Sequence, residues 1–130
     1  MKENRLTIRI NKPIADVFAF TITPPNSTKW VPNTVYEDTS ELPVQVGTVY
    51  TLKDECGKIS KYTVTAIKEN ELFELVSEDN NYHARYVYRP IDENATGFEY
   101  YEWVDHGQLE VPFTMEILQK LKGILEASSL

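Results

Sequence analysis

The stretch VPFTMEILQKLKGILEA, residues 111–127, decides how the rest of the chain is read. Phe113, Ile117, Leu118, Leu121, Ile124 and Leu125 recur at three- and four-residue spacing and make one apolar stripe. Glu116, Gln119, Lys120 and Lys122 mostly face the other way. The spacing predicts an amphipathic helix from Phe113 to Ala127, started by Val111-Pro112. About 16 residues at 1.5 Å each span roughly 24 Å, enough to cross one face of a sheet. Gly123 weakens such a helix by about 1 kcal/mol relative to Ala. It is either a tolerated glycine or a mark of close packing or of room for a ligand.

Upstream, almost everything reads as strand. Arg5 to Ile10 alternates with period two, so Leu6, Ile8 and Ile10 share a face. A helical interval follows. Asn11 is the expected cap, Pro13 suits the first turn, and Ile14, Val17, Phe18 and Ile22 line one helical side. Pro24-Pro25 ends this helix. Asn26, Ser27 and Thr28 are expected to cap a second short turn carrying Trp30. Strands are then expected at Thr34–Asp38, Thr48–Asp54, Ile59–Ile67, Leu72–Ser77, Tyr82–Arg89 and Thr96–Val104. The turns between them carry Pro43 and Gly47, Gly57, Lys68 to Glu71, Glu78 to Asn81, and Pro90 to Ala95.

Successive antiparallel strands joined by short turns make a meander, and twist curves it. A curved meander followed by one amphipathic helix implies an α+β architecture in which a curved sheet grips a single helix. The expected sheet has about six or seven strands wrapped around a long C-terminal helix, with two short helices near the N-terminus. Such a grip encloses a cavity, and the chain reads as a container for a small apolar molecule.

Composition narrows the choices. The chain has 130 residues, read as a single domain over 1–130, long enough to bury a core without staples. Thirteen basic against twenty acidic side chains give a net charge of -7, which repels phosphate backbones and anionic lipid. Nucleic acid and membrane insertion are therefore not expected. The lone Cys56 cannot form an internal disulfide, and no secretion signal leads the chain, so a cytoplasmic setting is expected. Two histidines and one cysteine far apart show no metal-ligand spacing, and no phosphate loop or dinucleotide fingerprint occurs. Neither metal nor cofactor is expected.

Several of these residues also carry a family resemblance. They are Pro13 with Val17-Phe18, Trp30 after the Pro-rich turn, Val46-Gly47-Thr48 leading into a strand, and the ending from Leu118 to Glu126. Their order resembles the START-like, or SRPBCC, superfamily, which includes polyketide cyclase/dehydratase-like proteins, lipid-transfer domains and activators of a heat-shock ATPase. The resemblance covers nearly the whole chain. It implies a helix-grip fold with a hydrophobic cavity between sheet and C-terminal helix. The superfamily has no shared catalytic motif, so no catalytic residue is assigned. The final helix and the segment from Asp105 to Val111 are short for the group, which implies a small or partly collapsed cavity.

Strand parity nominates the cavity lining. In Tyr82–Arg89 one face carries His83, Arg85, Val87 and Arg89 and is charged, which sends Tyr82, Ala84, Tyr86 and Tyr88 inward. In Thr96–Val104 both faces are aromatic; Phe98 and Tyr100 are placed inward, with Glu102 at the rim. In Ile59–Ile67, Tyr62, Val64 and Ala66 make the inner set. With Trp30 and the helix residues, the expected ligand-contacting set is Trp30, Tyr62, Tyr86, Tyr88, Phe98, Tyr100, Glu102, Phe113, Ile117 and Leu121. Buried phenols need partners, either one another or the polar end of a ligand. Glu102 and His106 could cooperate as base and acid only if a turn at Asp105 shortened the roughly 13 Å that a strand would put between them. The alternative is a solvated loop.

The expected function is binding of a small hydrophobic or amphipathic molecule, lipid-, sterol- or polyketide-like, with a homodimer left open. The alternatives are an enzyme of cyclase or dehydratase type, and a protein-interaction module resembling the heat-shock-ATPase activators.

Overall fold

The structure, a computed structural model, describes residues 1–127. Seven strands form one antiparallel sheet: β1 (Glu3–Ile10), β2 (Thr34–Thr39), β3 (Val49–Asp54), β4 (Ile59–Lys68), β5 (Leu72–Ser77), β6 (Tyr82–Asp92) and β7 (Ala95–Val104). Their spatial order is β1-β7-β6-β5-β4-β3-β2. Strands β2 to β7 are the expected meander. β1, the first strand, pairs with the last, with Leu6 opposite Tyr100 and Ile8 opposite Phe98.

This pairing places β1 and β2 at opposite edges of the sheet. The chain between them must cross from one edge to the other, and it does so as α1 (Ile14–Ile22) and α2 (Ser27–Trp30). The crossing buries Val17, Phe18, Thr21 and Trp30. Phe18 meets Tyr88 edge-on at 5.1 Å, and Trp30 packs edge-on against Tyr86, Phe98 and Phe113. Neither expected cap forms. The Asn11 side chain accepts from Arg9 Nε at 2.9 Å, and the Asn26 amide donates to the Phe20 carbonyl at 3.1 Å.

The last helix, α3, spans Met115–Ala127, two residues later than expected, so Phe113 lies ahead of it. Its stripe is buried as read: Leu118 and Leu121 are 0% exposed, and Leu125 is buried with them. As expected of a sheet gripping this helix, Leu118, Leu121 and Leu125 join the same core as Trp30, Phe98 and Tyr100. α3 packs along β1 and α2. Lys122 Nζ donates to the Arg9 carbonyl at 2.8 Å, and the Asn11 N–H donates to Glu126 at 2.7 Å. Both bonds pin the last turns to the end of β1.

Two local departures matter. The β4 register slips between Val64 and Ala66. A one-residue slip exchanges faces, so beyond it Ile67, not Ala66, packs on the core. The expected turn at Pro90 to Ala95 is tighter, because β6 runs on to Asp92 with an irregular step at Pro90, a residue with no N–H for a ladder. Gly47, with φ +96°, makes the bend into β3 that a Cβ would strain. No helix among the described residues is long and apolar enough to cross a membrane.

Gly123 has open space around it, which supports the reading of a tolerated glycine. Gly123→Ala is therefore expected to stabilise the protein by up to about 1 kcal/mol. Leu121→Ala, in the core, is expected to destabilise it by about 2–5 kcal/mol. Urea midpoints of the two variants check the assignment; a loss of stability for Gly123→Ala would contradict it.

Candidate functional site

The curved sheet does not close on its helices. Between β2–β7 on one side, and Thr21, Ser27, Val31 and Phe113 on the other, lies an interior pocket. The centre of a water-sized sphere can move within about 100 Å³ of it. One bound water needs roughly 10–15 Å³ of such space, so the pocket has several times the room of a single water. No α3 side chain lines it. The cavity sits beneath α1 and α2 and not, as expected, between the sheet and the C-terminal helix.

Its walls are largely aromatic. Tyr50 meets Phe73 edge-on at 5.6 Å, and Phe73 meets Tyr86 at 5.5 Å. At the other end Phe113 stacks on Tyr100 at 4.2 Å, and Tyr62 stands edge-on to Tyr82 at 6.3 Å. Tyr62, Tyr82 and Phe113 also line an outer groove formed by residues 58–62, 77–82 and 108–113. These three rings separate the interior from the groove.

Four of the ten expected residues line the pocket: Tyr62, Tyr86, Tyr100 and Phe113. Six do not. Trp30 and Phe98 are buried behind the lining, and the Trp30 Nε1–H has no acceptor among the described residues. Tyr88 is sealed under α1, its hydroxyl paired with that of Thr21 at 2.6 Å. Leu121 belongs to the core and Ile117 packs against it, both from α3 and outside the pocket lining.

Glu102 is not at a rim. It is 1% exposed, and every donor near it is used. Asn4 Nδ2 donates to one carboxylate oxygen at 2.9 Å and the Phe113 N–H to the same oxygen at 2.7 Å. The Tyr82 and Tyr100 hydroxyls reach the other at 2.6 and 3.3 Å. His106 takes no part. Its loop is held by the Asn81 side chain, which accepts from the His106 N–H at 2.8 Å. The solvated-loop alternative describes it.

Sequence reading missed Tyr50, Phe73 and, above all, Glu37. Glu37 is 8% exposed and lines the pocket from β2. Its neighbours Val35 and Tyr36 are 57% and 45% exposed. Hydrophobic sorting would turn the strand the other way, so no signal in the sequence points to the carboxylate. Glu37 accepts from the Ser27 N–H at 3.1 Å. Burial raises its pKa above the usual carboxylate value, against an opposing pull from Ser27 hydrogen bonds. The phenols around it shift the same way. Tyr86 is raised by burial and then by Glu37, Tyr50, Tyr62 and Glu102, and Tyr50 by burial and Glu37. They remain neutral donors over the whole biological pH range. Tyr50 uses its proton on the Ile22 carbonyl at 2.5 Å. The Tyr86 hydroxyl has no hydrogen-bond partner among the described residues.

No protein-family model matches the sequence, and no curated protein matches it. Solved structures do. A START superfamily protein from Mycobacterium smegmatis is 15% identical, with 98% of this chain and 99% of that one aligned at a TM-score of 0.73. Norcoclaurine synthase from Thalictrum flavum, in complex with dopamine and hydroxybenzaldehyde, is 13% identical over 99% and 89% of the two chains, at 0.65. An Aha1 dimer from Colwellia psychrerythraea is 16% identical over 98% and 92%, at 0.60. The chain has the helix-grip fold of the START-like superfamily.

A carboxyl group whose pKa is raised by folding adds stability below its unfolded value, and that stability is lost as pH rises through the folded value. Glu37→Gln keeps an acceptor for Ser27 without the charge. It is expected to raise the urea midpoint at neutral pH, with the gain vanishing below about pH 4.3, the ordinary Glu value. A destabilised Glu37→Gln at pH 7 would contradict the assignment.

Proposed function

We propose that the protein binds a small amphipathic molecule in the interior pocket. The observation that carries this reading is the aromatic cavity into which a buried carboxylate and an unpartnered phenol are built. Apolar walls with a few placed polar groups are the usual chemistry of a ligand site. The size of the pocket favours a molecule of one or two rings over a sterol or a long acyl chain. The fold supports the same reading, since the plant enzyme that shares it holds two small aromatic molecules. The groove outside Tyr62, Tyr82 and Phe113 offers the way in.

The rival readings find less support. A cyclase or dehydratase built on Glu102 and His106 lacks its acid-base pair, because the Glu102 carboxylate is occupied by four other donors. An interaction module would be expected to have a filled interior. Within the proposed reading the chain works as one domain in the cytoplasm, without nucleic acid.

Indole is a suitable probe of the pocket. Titration followed by amide chemical shifts is expected to move signals of β3–β6 and the Phe113 segment. Ala84→Phe fills the lining and is expected to abolish those shifts, at a stability loss of about 1–3 kcal/mol. Shifts confined to the outer sheet face, or unchanged in Ala84→Phe, would reject the reading.

A further inference from the structure

The three buried glutamates of the sheet are treated differently by the fold. Glu99 lies under two guanidinium groups, with Arg5 and Arg89 both donating to it. Burial alone would raise its pKa, but those hydrogen bonds and charges outweigh burial and hold it low. Glu102 has four donors. Glu37 has Ser27 and no ion-pair partner among the described residues. A buried carboxylate without compensation is costly, and folded proteins rarely keep one without a use. None of the described residues that line its pocket is basic.

The surroundings of Glu37 suit one kind of partner. The rings of Tyr50, Phe73 and Tyr86 border the same space, and an aromatic π-system attracts a cation that reaches its face. The Tyr86 oxygen has lone pairs free for an N–H donor. The net charge of -7 raises the local concentration of small cations and lowers that of anions. A carboxylate-bearing ligand would meet Glu37 with like charge. A neutral alcohol could hydrogen-bond but would leave the charge uncompensated.

We propose that the pocket is selective for a protonated amine on a small aromatic or apolar body, with Glu37 as its counter-ion and Tyr86 as a second contact. This rests on the reading of the cavity as a ligand site and names the chemical class of its occupant. The ammonium group supplies the charge that the fold withholds from Glu37, and the ring of the ligand occupies the space among the tyrosines.

Three probes of nearly one shape separate the terms: phenethylammonium, 2-phenylethanol and 3-phenylpropionate. Each is titrated at pH 7 into the whole protein while amide shifts are followed. The amine is expected to bind about tenfold or more tightly than the alcohol and to keep that preference in 0.5 M salt, where diffuse attraction to an acidic surface is screened. The carboxylate is expected to bind most weakly. In Glu37→Gln the amine should lose its preference and bind within about twofold of the alcohol. An alcohol that binds wild-type protein as tightly as the amine overturns the proposal and leaves the cavity reading standing. So does a preference that persists in Glu37→Gln. If none of the three shifts the pocket amides, both fall. The wild-type comparison decides the matter even if the variant fails to fold.

Discussion

The pocket depends on a carboxylate that does not line it. Glu102 is sealed inside the sheet, where an ion is tolerated only if its oxygens are fully engaged. Its partners come from separate parts of the chain: Asn4 on β1, Tyr82 on β6, Tyr100 beside it on β7, and the Phe113 N–H on the segment entering α3. Charge-assisted bonds of this kind are roughly twice as strong as neutral ones. Asn4 also donates to the Phe113 carbonyl at 2.9 Å, so one asparagine and one glutamate hold both polar groups of a single residue. The Phe113 ring is thereby fixed against Tyr100, and the end wall of the pocket exists because that backbone cannot drift.

β7 shows how one strand serves two environments. Phe98, Tyr100 and Glu102 face inward; Glu99, Tyr101 and Trp103 face out. The outer set forms a ladder of charges and rings. Arg5 lies 4.1 Å over the Tyr101 ring, Tyr101 stacks on Trp103, and His83 stacks on Trp103 at 4.6 Å while pairing with Asp105 at 2.9 Å. Every outward aromatic is covered by a charged neighbour on the next strand. The aromatic content that the sequence carries is thus divided between an interior that stays partly empty and a convex face shielded by cations.

How much of this was legible follows from what each signal measures. Strands bounded by turn residues were read nearly to the residue, β5 at Leu72–Ser77 among them, because alternation and turn chemistry are local. The α3 stripe was equally clear. The pairing of β1 with β7 is a long-range contact that periodicity does not encode. The bulge in β4 was invisible for a related reason: an inserted residue leaves composition unchanged and reverses the parity beyond it. Glu37 could not be read at all. Its strand exposes Val35 and Tyr36 and buries an acid, the reverse of what burial energetics favours. Where a sequence obeys the sorting rules, the rules find the core; this site is built where they are broken.

The central claim is that the space enclosed by Tyr50, Phe73 and Tyr86 is open to a guest. Pressurising crystals of the protein with xenon tests this directly, since xenon settles in apolar voids by size alone. The account expects an anomalous peak among those three rings, lost when Ala84 is replaced by Phe. Xenon found only on the surface, with the rings closed upon one another, would contradict it.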